Sequence, residues 1–210
     1  MLHRLLAVLA LAAFASSAQA EYYFEFASGT TVSNTFTVNQ GSTININVYL
    51  AQDGTTSTGL TQYGLNSAGV ALNIQNPAIT TVTAVTPNSQ FGYASTTTGA
   101  NPSVSEYITS SQGVTPSTVS NAVLLGTFTF SGVSAGTTAT ITALPGQNPD
   151  NVLNDGTNGN PGTAIDSMIA NASAVITVAA VPEPGTLVLT GLVAVGVAGA
   201  YLRRRGAVIA

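Results

Sequence analysis

Cysteine, tryptophan and lysine are all missing from these 210 residues, and only 6% of positions carry a charge. Each absence closes a class of chemistry. Every basic residue lies near an end of the chain: Arg4 at one, Arg203, Arg204 and Arg205 at the other. Between Glu21 and Ala180 there is no Lys, Arg or His, and the single histidine is His3. A body without His or Cys cannot assemble a Ser-His-Asp or Cys-His arrangement. Without Lys it has no Schiff base and no Ser-Lys dyad. Zinc sites built on His or Cys are excluded, as is a Gly-x-x-x-x-Gly-Lys phosphate loop. Nucleic acid is excluded as a partner, because phosphates need cations and the body has none. No Lys or Arg salt bridge can form in it either.

Carboxylates remain. The body holds Glu21, Glu25, Asp53, Glu106, Asp150, Asp155 and Asp166. Glycoside hydrolysis needs two carboxyl groups flanking one sugar. Glu25 and Glu106 are the nominal pair, but nothing in their spacing singles them out, and both read as solvated surface acids. No catalytic residue is expected. Asp150-Asn151, the run Asn154 to Asn160 and Asp166 gather hard oxygen ligands, which makes Asp150, Asp155 and Asp166 the candidates for calcium, the one cofactor left open. The EF-hand template fails there: counting from Asn154, position three is Gly156 and position twelve is Ile165. An Asx-rich turn, with Asn and Asp bonding nearby backbone, is the competing reading.

The ends are more explicit. Met1 to Arg4 supplies one positive charge, Leu5 to Phe14 is apolar, and Ala18-Gln19-Ala20 is a small-x-small site. That order predicts a signal peptide over residues 1–20, cut between Ala20 and Glu21. At the other end, residues 181–186 read Val-Pro-Glu-Pro-Gly-Thr, followed by an apolar run over 187–202 and a basic tail over 203–210. Counted from Gly185 to Leu202, a helix would be about 27 Å long, near the ~30 Å of a hydrocarbon core. Arg203, Arg204 and Arg205 form the membrane stop and place the body on the outer side. Pro182 and Pro184 fix φ and remove backbone donors, so the tripeptide stays extended and accessible. A GPI signal also uses an apolar tail, but it calls for small acceptor residues and no basic cluster.

Pro182-Glu183-Pro184, the span and Arg203-Arg204-Arg205 together resemble the PEP-CTERM sorting signal of Gram-negative bacteria. The resemblance implies that Pro182, Glu183 and Pro184 are a recognition element for exosortase, a membrane-embedded cysteine transpeptidase-like enzyme. It also implies an inner-membrane precursor that passes to the cell surface or extracellular matrix, in association with exopolysaccharide and biofilm.

The body, residues 21–180, is one domain in size and rich in Thr, Val, Ser, Gly and Asn. Thr43 to Leu50 alternates, with Ile44, Ile46, Val48 and Leu50 on one face. Val70, Leu72 and Ile74 repeat the device, and Leu124, Phe128 and Phe130 share a face of a later strand. Further strands are expected at 22–26, 35–38, 79–85, 105–109, 140–142 and 174–178. Eight or nine strands with intervening turns predict an all-β, antiparallel β-sandwich or jelly roll. The stretch from Thr86 to Asn121 either hides strands or is a binding surface. Tyr63, Tyr93 and Tyr107 are candidates for a sugar platform, against ordinary half-buried packing.

Thr43 to Leu50, Tyr63 to Leu72 and Leu124-Leu125-Gly126-Thr127-Phe128-Thr129-Phe130 resemble the cohesin-type sandwich across most of 36–178. That resemblance implies a module that binds a protein partner or stands near carbohydrate. No binding residue transfers from it.

Overall fold

The computed structural model describes residues 21–54, 58–108, 112–116, 121–146, 151–156 and 162–181. Thirteen strands form: β1 (Tyr22–Ser28), β2 (Thr31–Val32), β3 (Thr35–Asn39), β4 (Thr43–Gln52), β5 (Leu65–Ile74), β6 (Thr80–Pro87), β7 (Tyr93–Thr97), β8 (Ser103–Tyr107), β9 (Ala122–Gly132), β10 (Thr137–Pro145), β11 (Val152–Leu153), β12 (Ile169–Ala170) and β13 (Ala172–Ala179). Among the described residues one short helix, α1 (Gly59–Gln62), and one 3-10 turn (Asp166–Met168) interrupt them. The first sheet runs β12-β1-β4-β9-β6, with β2 on β1. The second runs β3-β13-β10-β5-β8-β7, with β11 on β5. Most pairs are antiparallel; β1 with β12 and β3 with β13 are parallel.

The two sheets face each other across one apolar core. Alternation supplies it: Phe24 and Phe26 from β1, Ile46, Val48 and Leu50 from β4, and Val70, Leu72 and Ile74 from β5 are all buried. Ile46 lies opposite Phe128, and Ile44 opposite Phe130. Both phenyl rings are fully buried, and each contributes roughly 1.5–3 kcal/mol through burial.

One face departs from simple period two. A register shift between Val48 and Tyr49 leaves an extra residue on β9, so Val48 pairs Gly126 while Tyr49 pairs Leu124. This bulge turns the strand by one position. Leu125 therefore enters the core, and Leu124, expected there beside Phe128, is only half-buried.

The stretch from Thr86 to Asn121 hides strands. It contains β7 and β8, and β8 starts two residues earlier than the expected 105–109. Val114 adds an isolated bridge to Leu65. β7 eluded the period rule because Tyr-Ala-Ser-Thr-Thr is a short edge strand with no buried residue.

Candidate functional site

The nominal catalytic acids are not brought together. Glu25 sits on the outer face of β1, between buried Phe24 and Phe26, where the phenol of Tyr23 bonds to it. Burial, then the charge of Glu25 and that bond, raise the Tyr23 phenol above its ordinary range. Glu106 lies in the other sheet and points into the core. It shares the inward face of β8 with Val104 and is 1% exposed. The reading of Glu106 as a solvated acid is therefore corrected: period two from Val104 carries it inside. Its Oε1 accepts the backbone N–H of Asn88 at 2.6 Å. Its Oε2 is buried with no hydrogen-bond partner among the described residues. Burial pushes this carboxyl up to about 8, against the lowering effect of the Asn88 bond. The group is a neutral acid at pH 7, on the wrong side of its sheet to share a sugar with Glu25.

The Asp and Asn residues do structural work where they are described. Asn151 is fully buried beside Gly69 of β5. Its Oδ1 accepts the Gly69 N–H at 3.1 Å, and its Nδ2 donates to the Gly69 carbonyl at 3.0 Å. The side-chain amide thus imitates a peptide along one edge of β5, between the end of β10 and the start of β11. Asp166 fixes it, accepting the Asn151 backbone N–H on both carboxyl oxygens (3.1 and 3.0 Å) and the side-chain Nδ2 at 2.8 Å. Asp155 accepts the N–H and the hydroxyl of Thr163 at 2.6 and 2.7 Å. Above all the hydroxyl bond holds its carboxyl below the usual range, while slight burial opposes it. Asp150, the third calcium candidate, lies outside the described residues. Among the described residues no three His, Cys, Asp or Glu side chains come together to hold a metal.

Of the three candidate tyrosines, the structure pairs two. Tyr93 of β7 lies directly opposite Tyr107 of β8, with ring centroids 4.6 Å apart and planes at 24°. Both are exposed on the outer face of the second sheet, at that sheet's edge. Tyr63 sits apart, closing α1 at its C-terminal end.

Solved structures with this arrangement have little sequence in common with it. The seventh ScaB type I cohesin from Pseudobacteroides cellulosolvens is 12% identical, covers 78% of this chain and 95% of its own, and gives a TM-score of 0.50. The fold is cohesin-like. The cohesin module of a family 33 glycoside hydrolase from Clostridium perfringens (8% identical, 77% of this chain, 99% of that one, TM-score 0.49) also matches. So does a cohesin–dockerin complex, Coh-OlpA-Doc918, from Clostridium thermocellum (11%, 73% and 99%, TM-score 0.48). No curated protein matches the chain in sequence. Residues 180–205 match the PEP-CTERM protein-sorting motif.

The cohesin-like body and the motif nearly abut. β13 ends at Ala179, and Val181, at the start of the motif, is exposed. Pro182, Glu183, Pro184, the apolar run 187–202, Arg203 to Arg205 and the signal-peptide site at Ala18 and Ala20 lie outside the described residues. Among the described residues no helix is long and apolar enough to cross a membrane.

Proposed function

We propose that this is an exported, non-enzymatic protein of a Gram-negative bacterium, sorted by an exosortase. Its signal peptide is removed between Ala20 and Glu21. Residues 187–202 then hold the precursor at the inner membrane, with Arg203, Arg204 and Arg205 as the stop. Pro182-Glu183-Pro184 is the element the exosortase reads, and processing delivers the body to the cell surface or extracellular matrix, in association with exopolysaccharide. The match of residues 180–205 to the sorting motif is the observation that carries this reading. The topology supports it: every strand among the described residues ends by Ala179, so a cut near the tripeptide removes none of them. Glu106 is closed off inside the core, and residues 21–180 contain no Lys, Arg or His. Replacing Pro182, Glu183 and Pro184 together by alanine should leave unprocessed precursor in the membrane fraction; normal processing of that variant overturns the reading.

A second reading makes the body a binding module for a protein or carbohydrate partner at the cell surface. The exposed Tyr93–Tyr107 stack favours it, since amphipathic aromatic pairs on a sheet face are effective contact surfaces. Binding to the producer's exopolysaccharide or to a partner module that survives a Tyr93→Ala/Tyr107→Ala double substitution would remove that face from the account.

A further inference from the structure

The chain leaves the sandwich at one end, and that end is built as a single plate. Beside Ala179, the last residue of β13, lie the turns β3–β4 (residues 40–42), β5–β6 (75–79) and β9–β10 (133–136). Main-chain bonds tie them together. The Gln40 N–H donates to the Ala179 carbonyl at 2.9 Å, and the Gly136 N–H to the Val178 carbonyl at 2.8 Å. The Gly41 N–H donates to the Gly132 carbonyl at 2.9 Å, and the Gly132 N–H to that of Ser42 at 3.0 Å. The Val133 N–H reaches the Ile79 carbonyl at 2.8 Å. Two side chains add to this: Gln40 Nε2 donates to the Val133 carbonyl and the Ser134 hydroxyl to the Ala78 carbonyl, both at 3.2 Å. The approach is close enough to require glycine at position 132, where a Cβ would stand 2.8 Å from the Asn39 carbonyl oxygen.

No residue of these turns is charged, nor is Ala179, Ala180 or Val181. Every described acid lies away from the plate. Glu21 and Asp53 sit at the opposite end, where the Asp53 N–H bonds the Glu21 carbonyl beside the Tyr22–Gln52 pair. Asp155 follows Asn154, which is bonded to Gly64, and Asp166 holds Asn151 beside Gly69; both belong to the start of β5. The nearest acids are Glu25, opposite Tyr49, and Glu106, opposite Ala68. Each stands six residues along its partner strand from the plate, counted from Thr43 and from Ile74. At a rise of ~3.3 Å per residue that is ~20 Å, more than twice the ~8 Å over which charge is screened at physiological ionic strength. The plate also exposes two aliphatic side chains, Val133 at 46% and Val181 at 53%.

We propose that this plate is the face the body lays on the outer surface of the bilayer while the precursor is anchored, a proposal that rests on the reading of residues 187–202 as a membrane span. Leu187 lies six residues beyond Val181, at most ~22 Å of extended chain, so the plate cannot stray far from the headgroups. A tether that short raises the local concentration to about millimolar, and weak contact suffices. An anionic lipid surface repels carboxylates, and the plate brings none to it, while the acid-bearing end is held away. The valines meet the apolar margin of the headgroups. Docked in this way, the body keeps Pro182-Glu183-Pro184 at the membrane surface, within reach of a membrane-embedded enzyme.

The test uses the full chain in vesicles of phosphatidylethanolamine and phosphatidylglycerol that carry a nitroxide on some headgroups. The chain has no cysteine, so Gln75→Cys and Thr115→Cys each give one point for a fluorophore. Both positions are exposed, the first on the plate and the second beside Val114, which bridges to Leu65 at the opposite end. Quenching is expected at position 75 and not at position 115. Adding Val133→Glu and Ala78→Glu together should abolish the quenching at 75, and high salt should restore part of it. Both residues enter the plate's bonds through their backbone, so the melting temperature of that variant should match the parent's. Equal quenching at both positions, quenching at neither, or quenching unchanged by the two acids overturns the proposal. The vesicles hold no enzyme, so a plate that docks only on the exosortase stays unquenched and overturns it too. Flotation separates the two readings. A chain that does not float with the vesicles removes the anchor and the plate with it; a chain that floats with position 75 unquenched removes the plate alone.

Discussion

Replacing Glu106 by glutamine should make the protein more stable at neutral pH. The carboxyl is 1% exposed, one of its oxygens is unpaired, and its pKa stands near 8, against 4.5 when solvated. Below about pH 4.5 the acid is protonated whether the chain is folded or not, and titration costs nothing. Between about 4.5 and 8 the unfolded chain releases the proton while the folded chain keeps it. The folded state then binds more protons, so stability falls as pH rises. Above about 8 both forms are ionised and this contribution levels off. At ~1.4 kcal/mol per pH unit the loss is about 3 kcal/mol by pH 7 and at most about 5 kcal/mol in all. That is a large part of the ~5–15 kcal/mol that holds a domain together. Glutamine cannot ionise, and its Oε1 can still accept the Asn88 N–H. The other perturbed groups leave the window clean: Asp155 is shifted down and titrates below it, and Tyr23 is shifted up and titrates above it. Urea denaturation at intervals from pH 5 to 8 measures the slope. The parent should lose stability across the range and Glu106→Gln should not, so that the curves converge near pH 5 and diverge above it. Parallel curves would mean that Glu106 reaches water in the folded state.

Asn151→Ala should destabilise the sandwich, because the buried Gly69 N–H loses its side-chain acceptor, while the Gly69 carbonyl keeps the Gly146 N–H; one buried donor left unpaired costs roughly 1–3 kcal/mol, read as a lower denaturation midpoint. Trypsin should leave residues 21–180 whole even when the chain is unfolded in urea, since that interval contains no Lys or Arg; an internal tryptic cut seen by mass spectrometry would contradict the sequence itself.

The sandwich was legible because its long strands are half-buried, and half-burial prints period two on Ile46, Val48 and Leu50, and on Val70, Leu72 and Ile74. Where the backbone breaks period, the pattern misleads. The β9 bulge exchanges Leu124 for Leu125, and no local residue announces it. Strand β7 carries no apolar alternation, because nothing on its edge is buried. Glu106 was readable in principle: Val104 and Glu106 are two apart in one strand, and the period that buries the valine buries the acid. The assumption that an acid seeks water outweighed it. Asn151 could not be read at all, for its partner Gly69 is 82 residues away. The sorting motif, by contrast, is contiguous and was legible in full.

Whether the chain is sorted at its C-terminus to deliver the cohesin-like body is read at that terminus itself. Mass spectrometry of the C-terminal peptide from protein recovered outside the producing cell tests this most directly. A terminus between Val181 and Gly185, with every strand through Ala179 retained, is the predicted result. An intact tail running through Arg203 to Ala210 would contradict it and make the protein an ordinary single-span membrane protein.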